Sequence, residues 1–525
     1  VFILIYNDYS KINFSVHSLI YTFNNIKICV TKLEQMKIIP YVLKVEQGIK
    51  ERQLANQDDC WRLIVRKNSQ TYFGQQFNFD KIRHYSDFRQ IPLSRYEQYE
   101  DLIQQVIGGK PATLLTKDDI VAFLKTSGTT SEGKLLPITH QFTHKNHYYG
   151  SRSLMYHLVS NFGFSDYLLA RNLSLSGYQY PSQGNYEVYD MSALLIKRLP
   201  FYMWGMNFPN EVFTTWESKL DYIVKHLDSL KNVRVMLGVP TWILSLLNYL
   251  SETTNKPIPE LFPNWQVYLH GGVNFNPYRK LFNDILEREM IFQEVYNATE
   301  GFFAFQDSPD VEGMLLLTGG RIFYEFIPFN SGGNKANYHN TIIPLEQVET
   351  GQNYLIVIST EYGLYRYILG DVVQFTYTNP YRLKVVGRES EYINAFGEDL
   401  SMYHVNNALK DLSKKIDFRI RDFSVAPKYA EKGETGGHQW LVEFIHQPPD
   451  LQLFIDELDQ LLQHYNNNYR QKREGDIAMK KLELVVLKKG TFRNYLSAKK
   501  VIGGQAKMKK LFNHRKVADI ILNMS

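Results

Sequence analysis

The chain has 525 residues, with 59 basic and 54 acidic side chains for a formal net charge of +5. That length exceeds what one hydrophobic core serves, so two domains are expected, and the near-balance of charge gives no footprint for nucleic acid. A composition of 44% hydrophobic and 14% aromatic residues excludes a disordered chain.

The two cysteines, Cys29 and Cys60, build neither a disulfide framework nor a zinc site, which fits a reducing, cytoplasmic setting. No stretch reaches the ~18–20 consecutive apolar residues of a membrane helix, so no membrane partner is expected. Residues 1–33 open without Met and resemble nothing downstream; they read as a non-native or disordered extension.

Residues 38–58 and 94–108 read as helices. The stretch "FLKTSGTTSEGKLLPIT", residues 123–139, poses the sharpest question. Gly128 through Lys134 spells G-x-x-x-x-G-K, one residue short of a Walker A phosphate loop. The next position is Leu135, where a Walker A loop needs the Mg²⁺-binding hydroxyl of Ser or Thr. Such a loop also runs straight into a helix, whereas Pro137 is hostile to a helix interior. The stretch therefore predicts strand–loop–strand. Its hydroxyls, glycines and lysine could wrap a triphosphate through backbone N–H groups and side-chain donors. An ordinary polar hairpin turn is the equal alternative on this stretch alone.

Residues 140–160 read as helix, and 218–230 and 241–251 as helices flanking the strand "VRVMLGV". "WQVYLHGG" (265–272) is a strand ending in a glycine turn, 277–289 a helix, and "IFQEVYNATEG" a strand ending in a polar turn. This alternation implies an α/β sheet, whose ligands sit at the carboxyl ends of its strands. His270-Gly271-Gly272 and Tyr296 through Gly301 both fall at such ends. Residues 314–378 are strand-rich. A second, α+β unit is expected from about 387, with helix 402–413, strands 418–426 and 439–446, a long helix 450–470, strand 482–488 and a short helix after Thr491.

Three stretches then recur in a fixed order: "TSGTTSEGK", "YNATEG" and "GLYRYILGDVV", followed by Gly387-Arg388 and a glycine turn at Gly397. The order resembles the adenylate-forming superfamily of acyl-CoA synthetases, luciferases and peptide-synthetase adenylation domains. "GLYRYILGDVV", "LHGGVNFNPY" and the late "GGQAK" resemble more closely the Gretchen Hagen-type, auxin-responsive acyl acid amido synthetases, as a bacterial-type member. The resemblance spans roughly residues 38–525.

It implies an α/β fold with a large ATP- and acyl-binding domain over 34–386 and a small, mobile α+β domain over 387–525. It implies ATP and Mg²⁺ as cofactors, a carboxylic acid and an amino acid as substrates, and a monomer. Ser127, Gly128, Thr129, Thr130 and Lys134 would cradle the β- and γ-phosphates. Glu300 would hold Mg²⁺ and Thr299 contact the α-phosphate. Gly271, Gly272, Tyr296 and Asn297 would lie along the nucleotide, the last two near adenine. Asp371, in a tight Gly-Asp turn, would accept the ribose hydroxyls, with Arg388 also reaching the ribose. Lys507 would stabilise charge during adenylation. Its "KMKK" context departs from the Lys-x-Pro-Arg that many members carry.

Each position has a plainer alternative: a turn aspartate, a capping glutamate, a lysine in a solvated basic run. Tyr178, Tyr180 and Phe201–Trp204 could line an acyl pocket or be core. The activity implied is acyl-adenylate formation with release of pyrophosphate, then acyl transfer to an amine. A thiol acceptor, or an inactive binding protein on the same fold, are the alternatives.

Overall fold

The computed structural model describes residues 47–126, 134–162, 171–199, 207–272, 275–308, 310–329, 338–389, 392–393, 395–396, 398, 400–429, 436–473, 479–499 and 508–525. The proposed extension at 1–33 lies outside them.

Strands β1 (Ile120–Lys125) and β2 (Leu135–Thr139) form an antiparallel hairpin in which Phe123 faces Pro137 and Lys125 faces Leu135. β3 (Arg171–Ser174) belongs to a different sheet. β4 (Gln179–Gln183) and β5 (Tyr186–Tyr189) complete the hairpin's own, in the order β2-β1-β5-β4.

The major sheet has two halves. Its parallel half unites β3 with β6 (Asn207–Phe208), β7 (Val233–Leu237), β8 (Val267–His270) and β9 (Ile291–Ala298). Helices Trp216–Lys225, Pro240–Thr254 and Asn276–Leu286 make the crossovers. Parallel strands are covered on both faces, so β7 and β8 are short apolar runs without alternation. Pro240 opens its helix, where its missing N–H costs nothing.

The antiparallel half adds β10 (Gly301–Phe305), β11 (Met314–Leu316), β12 (Ile322–Pro328), β13 (Ile343–Pro344), β14 (Asn353–Thr360), β15 (Tyr367–Thr378) and β16 (Tyr381–Arg388). The order across the sheet is β13-β12-β14-β15-β16-β11-β10-β9-β8-β7-β3-β6.

The small unit holds a two-stranded ribbon, β17 (Tyr392–Ile393) and β18 (Leu400–Ser401). A three-stranded sheet follows, β19 (Arg419–Lys428), β20 (Gly437–His446) and β21 (Lys480–Val486). Helices Met402–Lys415 and Leu451–Tyr465 bury Val405, Leu412, Phe454, Leu458 and Leu462 in one core with Trp440 of β20.

Two element readings need correction. The helix expected over 38–58 is present from residue 47, where the described residues begin, and extends past the expected end to Asn68. Its buried face is partly polar. Gln53 exchanges hydrogen bonds with the backbone of Leu316 and Tyr381, and Gln57 with that of Ile322 and Tyr324. Glutamines that satisfy sheet backbone are not visible as a core face in an apolar pattern. The long helix expected over 450–470 is two helices, Leu451–Tyr465 and Asn467–Arg473. Asn466 breaks them in an extended conformation; its side chain donates to the Glu398 carbonyl and accepts from the Tyr469 N–H. The helix Lys516–Leu522 was not anticipated.

Glu398 is fully buried in the small unit. Burial opposes its charge, but the His438 ring 2.7 Å away and the Ala395 and Phe396 N–H groups hold its carboxyl below the usual range. A carboxyl whose folded pKa is depressed contributes stability above its unfolded value of about 4.3, and loses it as pH falls through the folded value. The unfolding midpoint of this unit is expected to be flat toward neutral pH and to fall in acid. Glu398→Gln should flatten the acid limb in urea titrations followed by tryptophan fluorescence; an unchanged limb would contradict this.

Candidate active site

Lys134 stands immediately before β2, and no helix follows it until His140. The strand–loop–strand expectation holds. The mouth of the loop is closed by Thr126 N–H to the Lys134 carbonyl at 2.8 Å and Lys134 N–H to Thr126 Oγ1 at 3.3 Å. Tyr96 accepts from the Leu135 N–H, and its ring lies 5.2 Å beneath the Lys134 ammonium. Ser127, Gly128, Thr129 and Thr130 fall outside the described residues.

The tight turn between β9 and β10 carries Thr299 and Glu300. Tyr296 is buried, and its hydroxyl donates to Asp371 Oδ2 at 2.6 Å. Asn297 is exposed and Thr299 half-buried. The backbone carbonyl of Glu300 accepts from the Tyr362 hydroxyl at 3.1 Å. Burial and the nearby Asp371 charge push the Glu300 carboxyl up to about 7, against the pull of Arg388 and Lys134. Groups from four separate segments therefore share one electrostatic neighbourhood.

Asp371 does not sit in a free turn, as the sequence suggested. It lies within β15, at a bulge where the pairing with β14 slips between Leu355 and Val357. Gly370 takes φ +88° there, which favours glycine. Asp371 pairs in register with Arg388 of β16, whose Nε is 3.0 Å from Oδ1. Both carboxylate oxygens are thus engaged, one by Tyr296 and one by Arg388. The Gly-Asp dipeptide signals a turn by composition, and nothing local distinguishes a turn from a strand bulge.

Gly271 and Gly272 follow β8. A Cβ at Gly271 would stand 2.3 Å from the Val295 carbonyl, and Gly272 has φ +77°. These glycines let the β8 end pack directly on β9. The preceding His270 stacks on Phe275 at 4.0 Å, and burial pushes its imidazole down to about 3, so the ring is neutral.

Tyr178 is buried beneath the Lys219 ammonium at 4.6 Å, and Tyr180 donates to Asp190. Phe201–Trp204 and Lys507 lie outside the described residues, as do Gly397 and the "GGQAK" stretch. Of the expected site residues, the structure joins Tyr296, Asp371 and Arg388 by direct contacts, and the charges of Asp371, Arg388 and Lys134 act on Glu300. Tyr96 and Tyr362 join them without having been expected; tyrosines carry no distinctive spacing in an aromatic-rich chain.

The Glu300 carboxylate makes no ion pair among the described residues, and its charge is under-neutralised. No cluster of three or more His, Cys, Asp or Glu able to hold a metal occurs among them. A hard divalent cation fits this donor set if one carboxylate and the phosphate oxygens of a nucleotide complete its shell, as is usual for Mg²⁺.

The chain matches the GH3 family N-terminal domain over residues 47–256, the central domain over 315–388 and the C-terminal domain over 403–516. It is 20% identical to indole-3-acetic acid-amido synthetase GH3.4 of Arabidopsis thaliana, covering 89% of both chains. Its fold is similar to that of the AtGH3.15 acyl acid amido synthetase in complex with 2,4-DB, at a TM-score of 0.76 and 17% identity, over 92% of this chain and 96% of that one. It also resembles 2-hydroxyisobutyryl-CoA ligase in its postadenylation state, at a TM-score of 0.56 and 13% identity, over 92% of each chain. Among the described residues, no helix is long and apolar enough to cross a membrane.

Proposed function

Because the chain belongs to the GH3 family, we propose that it is an ATP-dependent acyl acid amido synthetase. A carboxylate attacks the α-phosphate of ATP, pyrophosphate leaves, and an amino acid amine then displaces AMP from the acyl-adenylate. The convergence of Lys134, Glu300, Asp371 and Arg388 carries this reading. Two anions must meet in line, so a site for the first step needs fixed cations and oriented donors.

Lys134, with Ser127, Gly128, Thr129 and Thr130 of its loop, binds the β- and γ-phosphates. Thr299 contacts the α-phosphate. Glu300 holds Mg²⁺, which supplies charge neutralisation on the phosphates. Gly271, Gly272, Tyr296 and Asn297 flank the nucleoside, and Tyr296 also orients Asp371. Asp371 and Arg388 take the ribose, exchanging part of their mutual contact for its hydroxyls. Lys507, from the small domain, stabilises charge as the adenylate forms. The fold alone does not separate an amine from a thiol acceptor, since a CoA ligase shares it. The amide-forming activities of the amido synthetase relatives favour the amine.

Acid-dependent exchange of labelled pyrophosphate into ATP, run over a broad panel of carboxylic acids, tests the first step. Exchange with at least one acid is expected; none would favour an inactive binding protein. In the same assay Asp371→Ala should raise the KM for ATP with a smaller effect on kcat, because the ribose is bound alike before and during the reaction. A normal KM would remove Asp371 from the nucleotide site.

A further inference from the structure

The helix after β2 is not uniform. Between His140–Phe142 and Tyr148–Phe162 it widens into a π-helical turn, Thr143–His147. Such turns are rare and frequently occur at functional sites. Here the turn directs both Asn146 and His147 into the interior, at 1% and 0% exposure.

The Asn146 carboxamide bridges the backbone just after the Thr299–Glu300 turn and the backbone just before β12. Its Oδ1 accepts from the Phe302 N–H at 2.7 Å, and its Nδ2 donates to the Gly320 carbonyl at 2.8 Å. From the other side, the Tyr362 hydroxyl holds the Glu300 carbonyl at 3.1 Å. The Tyr362 ring packs at 4.0 Å on Phe142, which lies just before the π-helical turn. The backbone is thus gripped on both sides of Gly301. Gly301 lies close against the Ile322 side chain, where a Cβ would stand 2.4 Å from Cδ1. The Glu300 carboxylate accepts from its own backbone N–H, so its aim follows this backbone.

We infer that Asn146 and Tyr362 are positioning residues that aim the Glu300 carboxylate at the divalent cation of MgATP while touching neither cation nor nucleotide. The inference rests on the role proposed above for Glu300. It extends the site to a helix that none of the nucleotide motifs reaches.

The test is a double-mutant cycle on the full chain. ATP affinity is measured by titration calorimetry with and without Mg²⁺ for wild type, Asn146→Leu, Tyr362→Phe, Glu300→Gln and the two double variants. The ratio of the two affinities is the magnesium enhancement. Partners that orient a metal ligand contribute about 10- to 100-fold to metal affinity. Each positioning variant should cut the enhancement by about that factor, leaving Mg²⁺-free ATP affinity and the KM for the acid near wild type. Neither should reduce it further once Glu300 is Gln. A merely structural role would weaken ATP equally with and without Mg²⁺ and would add to Glu300→Gln; either result overturns the inference. Tyr362→Phe removes one oxygen and keeps its packing on Phe142, so it gives the answer if Asn146→Leu does not fold. If Glu300→Gln alone leaves the enhancement intact, the role of Glu300 falls and the inference with it. If Glu300→Gln abolishes the enhancement and Tyr362→Phe preserves it, only the inference falls.

Discussion

Glu300→Ala is expected to slow acid-dependent adenylation by about 10²–10³-fold, equivalent to roughly 3–4 kcal/mol of transition-state stabilisation. The loss has two sources. The carboxylate no longer binds the cation that offsets charge on the phosphates. Lys134 and Arg388, which both act on Glu300, also lose the charge that balances them. Because negative charge is redistributed as pyrophosphate leaves, the effect should persist at saturating ATP and fall on kcat as well as KM. Pyrophosphate exchange at several Mg²⁺ concentrations measures it. Near-normal exchange would show that Glu300 merely ends a turn.

The largest expected effect on stability comes from Arg366, within the "GLYRYILGDVV" stretch. Arg366 is completely buried and meets Glu325 with two contacts, Nε to Oε2 at 2.8 Å and Nη2 to Oε1 at 3.0 Å. Its Nη1 donates to the carbonyls of Arg89 and Ile91. Arg366→Met would leave the Glu325 carboxylate buried with the Tyr85 hydroxyl at 2.9 Å and without its cation. Breaking a buried pair in this way costs about 3–5 kcal/mol. Removing both partners, as in Arg366→Met with Glu325→Leu, should recover most of it, since the uncompensated charge is gone. Urea unfolding of the three proteins decides the matter. A single variant within about 1 kcal/mol of wild type would mean that water or a rearranged chain satisfies Glu325. Part of this diagnostic motif therefore anchors the segment Arg89–Ile91 beneath the sheet, while its Asp371 serves the site.

What could be read from the sequence had local chemical causes. Leu135 stood where a Walker A loop needs a hydroxyl and Pro137 opposed a helix after Lys134, and the hairpin β1–β2 follows. Gly271-Gly272 and the 296–301 stretch could be placed at strand ends because each closes a short apolar run. What could not be read depends on partners far away in the chain. The bulge at Gly370-Asp371 becomes visible only where β15 pairs with β14. Gln53 and Gln57 are core residues only because sheet backbone stands opposite them. Asn146 is polar and would normally be assigned to the solvent face of its helix; the π-helical turn reverses this. The order of the major sheet also follows from pairings that no local pattern encodes.

The most direct test of the account follows one atom. A carboxylic acid that supports pyrophosphate exchange is labelled with heavy oxygen in its carboxylate and given to the protein with ATP and an amino acid. If an acyl-adenylate forms and the amine then attacks its carbonyl carbon, one labelled oxygen must leave with AMP and the other remain in the amide. Mass spectrometry of the products should find labelled AMP, pyrophosphate and the N-acyl amino acid in equal amounts. Label in inorganic phosphate alongside ADP would contradict the account, because the acid would then have been activated at the γ-phosphate.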